Sequence, residues 1–301
     1  MQSARMVHAY LFAGPAGTGK RTLADICARA LLCTGTGERP CDECPACMQY
    51  LSGNHPDILR LKPDKSIGVE AIRETIDKLA VHPYAGDRHV VIVESADKMT
   101  PQAQNALLKT LETPPGDAVF FLITDQMNTL LPTILSRCRI VRFSLLEEND
   151  AVGVLVRQGM TQERARMMAR LSMGSVGRAM EMDQSEQYWK VRELVTRALS
   201  VLHGPEDVGA AALALTESRE HSGMILDILE LCARDIMALQ DAGGAVIQTD
   251  LAHLLPSDRF QGEKMLIGVM EARKRISRNV AWQSVLEMLF FDIAGGNRVW
   301  Q

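Results

Sequence analysis

The sequence predicts an α/β fold, with a parallel-sheet domain over residues 1–145 followed by helical regions. Three observations support this prediction. Short apolar runs rich in β-branched and aromatic residues alternate with helical patterns through the first half of the chain. Strand patterns disappear from Glu147 onward. The 301 residues are 47% hydrophobic but only 5% aromatic, and 16 are methionines, a composition that favours helix-rich packing.

Strands and helices alternate along the first 145 residues. Short apolar strands separated by helices form βαβ units, in which helices cover both faces of a parallel sheet. The predicted elements, in order, are a strand at His8–Ala13, a helix at Arg21–Leu32, a helix at Val69–Val81, a strand at His89–Glu94, a helix at Pro101–Glu112 and a strand at Val119–Thr124.

The rest of the chain is predicted to be helical. Three short helices define a small helical domain over residues 146–183, and four longer amphipathic helices define a helical bundle over residues 184–301. The short helices are predicted at Asn149–Arg157, Thr161–Met173 and Ser175–Met182, and the longer ones at Glu186–Leu202, Pro205–Ser218, Ser222–Asp241 and Arg259–Arg278.

Charge and hydropathy exclude several classes of protein. The formal net charge of −4 does not indicate a general nucleic-acid binder, so any DNA contact must be local. No charge-free apolar run approaches the roughly 18 residues that a membrane span needs, and residues 1–16 lack the pattern of a secretory signal. We therefore expect a cytoplasmic protein without a membrane partner.

A glycine-rich turn follows the first predicted strand and opens the first predicted helix. Gly14, Gly17, Gly19 and Lys20 complete a G-x-x-x-x-G-K pattern. In that context the backbone N–H groups and the helix N-terminus attract phosphate, and Lys20 reaches the β- and γ-phosphates. The alternative is a glycine-rich turn that holds no ligand.

The residues that would bind Mg²⁺ depart from the pattern of a hydrolytic site. Arg21 stands where Ser or Thr should follow the lysine, and Thr22 comes one residue too late. Glu94 replaces the usual metal-binding Asp, Ser95 cannot act as a general base, and Asp97 is expected to cap a helix. ATP with Mg²⁺ is therefore expected to bind weakly or not at all.

Four cysteines lie within fifteen residues and point to a metal site. Cys41, Cys44 and Cys47 form C-x-x-C-x-x-C, and Cys33 precedes them, which gives a candidate module over about residues 33–47. Four thiolates satisfy the tetrahedral demand of Zn²⁺ and leave no open position, so a structural role is expected. An iron–sulfur cluster or reduced thiols without metal are the alternatives.

Three further motifs follow the phosphate loop in order. They are ESADKM at residues 94–99, QNALLKTLE at residues 104–112 with Pro114-Pro115, and LPTILSRC at residues 131–138. With the loop, these motifs resemble bacterial clamp-loader subunits of the AAA+ class. The resemblance is strong through residue 182, and the C-terminal bundle shares only its helical character with the family.

The resemblance implies a fold and a function. It implies an AAA+ sheet domain with an inserted zinc module, a helical lid and a helical collar that forms oligomers. The eroded metal-binding positions resemble delta-prime subunits more than gamma/tau motor subunits. The implied partners are gamma/tau and delta subunits of DNA polymerase III, and, through the complex, the sliding clamp and primed DNA. The chain would serve replication by completing the ring.

Three single residues carry implied roles. Arg137, in Ser136-Arg137-Cys138, resembles the arginine that reaches ATP held by a neighbouring motor subunit. Such an arginine finger stabilises charge on the transferring γ-phosphate. Thr124 corresponds to the first sensor of the γ-phosphate, and Arg178 resembles the second sensor arginine. Family members usually carry a longer segment before the first strand, so the adenine pocket is expected to be open or the start of the chain misassigned.

Two other functions remain open at this point. One is an active gamma/tau-type ATPase, in which Glu94 and Thr22 recover the metal. The other is a zinc-dependent nucleic-acid-binding module, against which the acidic net charge argues.

Overall fold

A computed structural model of the chain describes residues 7–240, 246–248, 251 and 261–294. The chain divides between Leu146 and Glu147 into two compact units. Among the described helices, none is long and apolar enough to cross a membrane.

The first unit is built on a five-stranded, fully parallel sheet. Its spatial order is β2-β3-β4-β1-β5, which confirms the predicted α/β class with a parallel sheet. Two of the strands, β2 and β5, were not expected from the sequence. The strands are β1 (Ala9–Ala13), β2 (Ile58–Leu61), β3 (Val90–Val93), β4 (Val119–Thr124) and β5 (Arg139–Arg142).

Helices cover both faces of the sheet. Successive strand residues face opposite sides, and the apolar side chains on each side are buried against helices. Leu11 enters one buried cluster and Phe12 enters the other, and Val91 and Ile92 divide in the same way. Both faces of the sheet are therefore packed, as a parallel sheet requires. The helices of this unit are α1 (Lys20–Leu32), α2 (Pro45–Leu51), α3 (Val69–Leu79), α4 (Pro101–Glu112) and α5 (Pro132–Leu135).

The second unit contains eight described helices. They are α6 (Glu148–Arg157), α7 (Gln162–Leu171), α8 (Val176–Gln184), α9 (Glu186–Val201), α10 (Val208–Thr216), α11 (Ser222–Gln240), α12 (Gly262–Ser277) and α13 (Trp282–Ile293). Side chains from α6 through α13 meet in one buried hydrophobic cluster. The separation of a lid from a collar stays a prediction.

Several helix predictions for this unit differ from the structure in their bounds or have one bound outside the described residues. The helix predicted from Pro205 begins as a 3-10 turn at Pro205–Asp207 and becomes α-helical at Val208. The start predicted at Arg259, like the end predicted at Asp241, lies outside the described residues. Helix α13 was not predicted.

Candidate functional site

The glycine-rich loop lies between β1 and α1, at the carboxyl edge of the sheet. Gly14, Gly17 and Gly19 all have positive φ angles, of 153°, 72° and 87°. The Gly14 N–H donates to the Thr124 carbonyl of β4 at 3.2 Å. A Cβ on Gly14 would lie 2.1 Å from the Phe143 carbonyl oxygen, so only glycine fits there. The loop is thus wrapped tightly against the strand ends.

The Lys20 ammonium lies inside this loop. Its side chain is only 4% exposed, and Nζ donates to the carbonyl oxygens of Gly14 at 2.7 Å and Pro15 at 2.5 Å. The third partner is Asp125, whose Oδ1 is 2.8 Å away. Lys20 is therefore satisfied by the chain itself. Sequence analysis missed Asp125, although its position directly after β4 would have placed it at this edge.

Glu94 follows β3 and is held by two arginines. Arg60 of β2 donates to Oε1 at 3.0 Å, and a guanidinium nitrogen of Arg21 lies 3.4 Å from Oε2. The Glu94 side chain is nearly buried. The residue after Lys20 thus brings a guanidinium to the carboxylate, where a hydrolytic site would bring a hydroxyl to the metal. Thr22 is exposed on α1.

A second set of contacts fixes Arg60. Its Nη2 donates to Asp25 of α1 at 2.7 Å and to the Tyr50 hydroxyl at 2.9 Å, and Tyr50 in turn donates to Asp25. Although burial lowers the pKa of Arg60, its hydrogen bonds to Asp25 and Glu94 outweigh that effect and raise it. Burial and the bond to Asp25 also raise the pKa of Tyr50. Arg60 therefore stays charged and Tyr50 stays a proton donor.

The residues around Glu94 do not fit Mg²⁺. This ion prefers near-octahedral oxygen ligands at about 2.0–2.1 Å. Both carboxylate oxygens of Glu94 instead face guanidinium groups, which carry positive charge to the place where the cation would lie.

Thr124, the expected first sensor, ends β4 beside Asp97. Its hydroxyl donates to Asp97 Oδ1 at 3.0 Å and accepts from the Gln126 N–H at 3.0 Å. The expectation that Asp97 caps a helix is wrong, because Asp97 lies inside a 3-10 turn whose N-cap residue is Ser95. Its carboxylate orients the Thr124 hydroxyl instead.

The four cysteines form a compact cluster. Their sulfur atoms all lie within 4.8 Å of one another, with Cys33 Sγ 3.5 Å from Cys41 Sγ and 3.9 Å from Cys44 Sγ. Tetrahedral Zn²⁺ with Zn–S bonds of about 2.3 Å separates its sulfurs by about 3.8 Å. A Cβ on Gly35 would lie 2.9 Å from Cys41 Sγ, so a side chain at this position would crowd the sulfur atoms. The four cysteines are placed to bind a metal ion.

The electrostatics of the cluster also suit a cation. The Thr34 hydroxyl and the Cys47 N–H donate to Cys44 and lower its pKa to about 5, and backbone hydrogen bonds lower the pKa of Cys33. Burial and the neighbouring sulfurs raise the pKa of Cys47 to about 12. A bound dication would stabilise all four thiolates, because metal ligands must be deprotonated.

Arg137 lies in the turn between α5 and β5. Its Nε donates to Glu112 Oε1 at 2.8 Å, and its Nη2 contacts the same oxygen. Nη1 donates to the Thr133 carbonyl at 3.0 Å and to the Ser136 hydroxyl at 3.3 Å. The guanidinium is 30% exposed and is therefore partly accessible. Sequence analysis did not single out Glu112 as its partner.

Arg178, the expected second sensor, lies in the second unit at the start of α8. Its guanidinium is 2.9 Å from Asp227 of α11, and Asp227 also pairs with Arg273 of α12 at 2.7 Å. The ion pair described for Arg178 thus joins α8 to the helices that follow it.

A parallel sheet of this order, with a phosphate-type loop after its interior strand β1, defines the class of P-loop α/β proteins. The family profile described as "DNA polymerase III, delta subunit" matches residues 1–147. The DNA polymerase III subunit delta′ of Bacillus subtilis strain 168 is 32% identical over 307 residues, which cover 97% of this chain and 92% of that protein. This chain therefore belongs to the family of DNA polymerase III delta′ subunits.

A second relative supports this assignment, and a solved structure shows the same fold. The delta′ subunit of Escherichia coli K12 is 39% identical over 204 residues, or 66% of this chain and 61% of that protein. A crystal structure of a DNA polymerase III gamma subunit-related protein from Thermotoga maritima shares the fold at 20% identity, with a TM-score of 0.52. That alignment covers 95% of this chain and 94% of the other.

Proposed function

We propose that this chain is a non-hydrolysing delta-prime-type subunit that completes the ring of the DNA polymerase III clamp loader. In this role it supplies Arg137 in trans to ATP bound by a neighbouring gamma/tau subunit, while the delta subunit takes another position. The ring then loads the sliding clamp on primed DNA in the cytoplasm. The collar over residues 184–301 would form oligomers, and the lid over residues 146–183 would join it to the sheet domain.

Arg137 is the observation that carries this proposal. Its guanidinium lies in a surface turn, while the acidic residue of the chain's own cleft is paired with two arginines. A chain that offers an arginine and has its Glu94 carboxylate paired with two guanidinium groups suits a partner of an ATPase better than an ATPase. Arginine fingers supplied in trans raise rates by roughly 10³–10⁵ in related nucleotidases.

The test is the DNA-stimulated ATPase of the reconstituted complex. We expect Arg137→Ala to assemble normally and to lower this rate by at least about tenfold, since one finger is lost while the fold is kept. Arg157→Ala, which removes an exposed arginine from α6, is the control. A rate equal to wild type with full assembly would refute the finger role.

The active-ATPase alternative makes an opposite prediction for the isolated chain. Steady-state hydrolysis that Lys20→Ala abolishes would support it and would make Lys20 and Glu94 catalytic. The ion pairs of Glu94 argue against that outcome. Under the non-hydrolysing proposal, the loop formed by Gly14, Gly17 and Gly19 would bind nucleotide weakly or not at all.

We also propose that the cysteine cluster holds a structural Zn²⁺. The sulfur spacing and the family resemblance support zinc over an iron–sulfur cluster, which would also give visible absorbance. Elemental analysis of purified protein should give one zinc per chain. If the module instead bound nucleic acid, replacing its ligands would abolish DNA binding while the rest of the chain stayed folded.

A further inference from the structure

We propose that Arg21 and Arg60 take the place of a divalent cation on Glu94, and that the cysteine module holds Arg60 there through Tyr50. This inference deepens the non-hydrolysing role proposed above. It concerns the cleft of the isolated chain and does not involve Arg137.

The first step is the coordination of Glu94. Its backbone N–H donates to the Leu61 carbonyl at 2.8 Å, which fixes the carboxylate at the carboxyl end of β3. One carboxylate oxygen accepts from Arg60 and the other faces Arg21. Since the Glu94 side chain is nearly buried, a metal ion has little room to approach its carboxylate beside the two guanidinium groups. A divalent cation would have to displace both guanidinium groups.

The second step is the balance of charge. Arg21 and Arg60 contribute two positive charges, and Glu94 and Asp25 contribute two negative ones. Asp25 lies one turn after Arg21 on α1, at 3.9 Å from its Nε, and 2.7 Å from Arg60. The four groups are neutral together, as they would be if a dication bound the two carboxylates. Adding Mg²⁺ to the complete set would leave its charge uncompensated.

The third step joins this set to the cysteine module. Helix α2 starts directly after Cys44, whose sulfur accepts from the Cys47 N–H at 3.4 Å. Tyr50 follows Cys47 by three residues, so it lies close to one turn further along the same helix. The sulfur cluster therefore anchors the start of the helix that carries Tyr50.

Tyr50 is a positioning residue for Arg60. Its hydroxyl accepts from Arg60 Nη2 at 2.9 Å, and its ring centroid is 6.0 Å from the centre of the guanidinium. Asp25 accepts from both residues. Arg60 is thus held between a carboxylate of α1 and the Tyr50 phenol of α2, with its Nη1 directed at Glu94.

The experiment measures metal binding by the full chain rather than activity. Mn²⁺, a paramagnetic substitute for Mg²⁺, is titrated into nucleotide-free protein loaded with zinc, because free ATP would itself bind Mn²⁺, and bound Mn²⁺ is followed by electron paramagnetic resonance. ATP affinity is measured in parallel with and without Mg²⁺. For the wild-type chain we expect no Mn²⁺ site that depends on Glu94 and no tightening of ATP binding by Mg²⁺.

The variants test each part of the inference. Arg21→Thr with Arg60→Gln should create a Mn²⁺ site and make ATP binding at least about tenfold tighter with Mg²⁺. Adding Glu94→Gln should abolish that gain. Arg21→Thr alone should give a smaller gain and serves if the double variant is unstable. Arg73→Thr, at an exposed position of α3, matches the charge change of Arg21→Thr alone and should behave like wild type.

Tyr50→Phe tests the connection to the module. In the Arg21→Thr background, it should increase Mn²⁺ binding several-fold, because Arg60 loses one of its two anchors beside Glu94. Tyr84→Phe in the same background is the control, since the Tyr84 side chain is 89% exposed. Equal Mn²⁺ binding with and without the Tyr50→Phe substitution would overturn the role of the module.

Two outcomes would overturn the central claim. One is a wild-type Mn²⁺ site that Glu94→Gln removes. The other is a folded double variant, with circular dichroism and Tm like wild type, that gains no site. Neither outcome decides the role of Arg137, which the ATPase of the complex tests separately.

Discussion

Arg137 forms a partly exposed ion pair with Glu112, and such a pair can orient an arginine without binding it strongly. Nε and Nη2 of Arg137 both contact one oxygen of Glu112, yet the Glu112 side chain is 49% exposed. Exposed ion pairs stabilise proteins by about 0–1 kcal/mol. The gain from placing a guanidinium on a transferring phosphate is far larger. The pair therefore orders Arg137 in the free chain and would not prevent the finger role proposed for it.

Glu112→Gln should accordingly change the free energy of unfolding by less than about 1 kcal/mol. Chemical denaturation of the isolated chain measures this value, and added salt should reduce the difference further. Asp57→Asn is a useful contrast, because that carboxylate is 1% exposed and accepts from the N–H groups of Ala85 and Gly86. A loss at Glu112 as large as at Asp57 would contradict this view of the pair.

Gly14 is the residue whose backbone conformation most constrains the phosphate-type loop. With φ at 153° and the Phe143 carbonyl oxygen 2.1 Å from any added Cβ, Gly14→Ala must move either the loop or β5. We expect a loss of about 2 kcal/mol or more in the free energy of unfolding, measured by denaturation. Gly37→Ala meets no atom within 4 Å and should be nearly neutral.

At the scale of elements, the cysteine module is a short segment that lacks a large core of its own. Helix α2 has seven residues, and its buried residues are Ala46 and Cys47. Isolated helices of this length are marginal in water, so a bound metal would supply much of the local stability.

Metal removal should therefore loosen the module before the sheet. After chelation, hydrogen exchange should become faster in residues 33–51, while the amides of β3 and β4 keep their protection. Cys44→Ser should give the same pattern without chelator. Uniformly faster exchange across the sheet would mean that the module stabilises the whole unit, and unchanged exchange would mean that metal adds no order.

Strands with continuous apolar runs were predictable, and the edge strands were not. VVIV at β3 and VFFLIT at β4 are buried along their whole length, so their hydropathy alone indicates a central parallel strand. The edge strands β2 and β5 contain Arg60, Arg139 and Arg142, which interrupt the apolar pattern. Edge strands tolerate charge because only one side is paired.

The candidate site was predictable to a similar extent. Spacing alone placed the glycines, Lys20 and the four cysteines, because each pattern is local in sequence. The partners of Glu94 and Arg137 come from distant elements: Arg60 lies 34 residues before Glu94, and Glu112 lies 25 residues before Arg137. No local pattern indicates such pairs. The family motifs identified Arg137 but not the residue that holds it.

At the scale of the whole molecule, the two units have separate hydrophobic cores. The clusters on the sheet contain only residues of the first unit, and the large helical cluster contains only residues of the second. Helix α13 belongs to that second core, with Val285, Leu286 and Leu289 fully buried. Its buried residues recur at helical spacing, so the periodic pattern was present in the sequence although the helix was not predicted; they are Trp282, Val285, Leu286, Leu289, Phe290 and Ile293.

A core substitution in α13 should therefore act first on the helical unit. Leu286→Ala should destabilise that unit by about 2–5 kcal/mol, because the removed atoms leave a cavity in a fully buried cluster. Hydrogen exchange should become faster in α9–α13, while β1, β3 and β4 keep wild-type protection. Exposed Leu213→Ala on α10 is the control and should change stability by no more than about 0.5 kcal/mol. If Leu286→Ala instead made hydrogen exchange faster in the sheet and in the helices together, the two cores would unfold as one cooperative system. A defect in the helical unit would then also disturb the turn that carries Arg137.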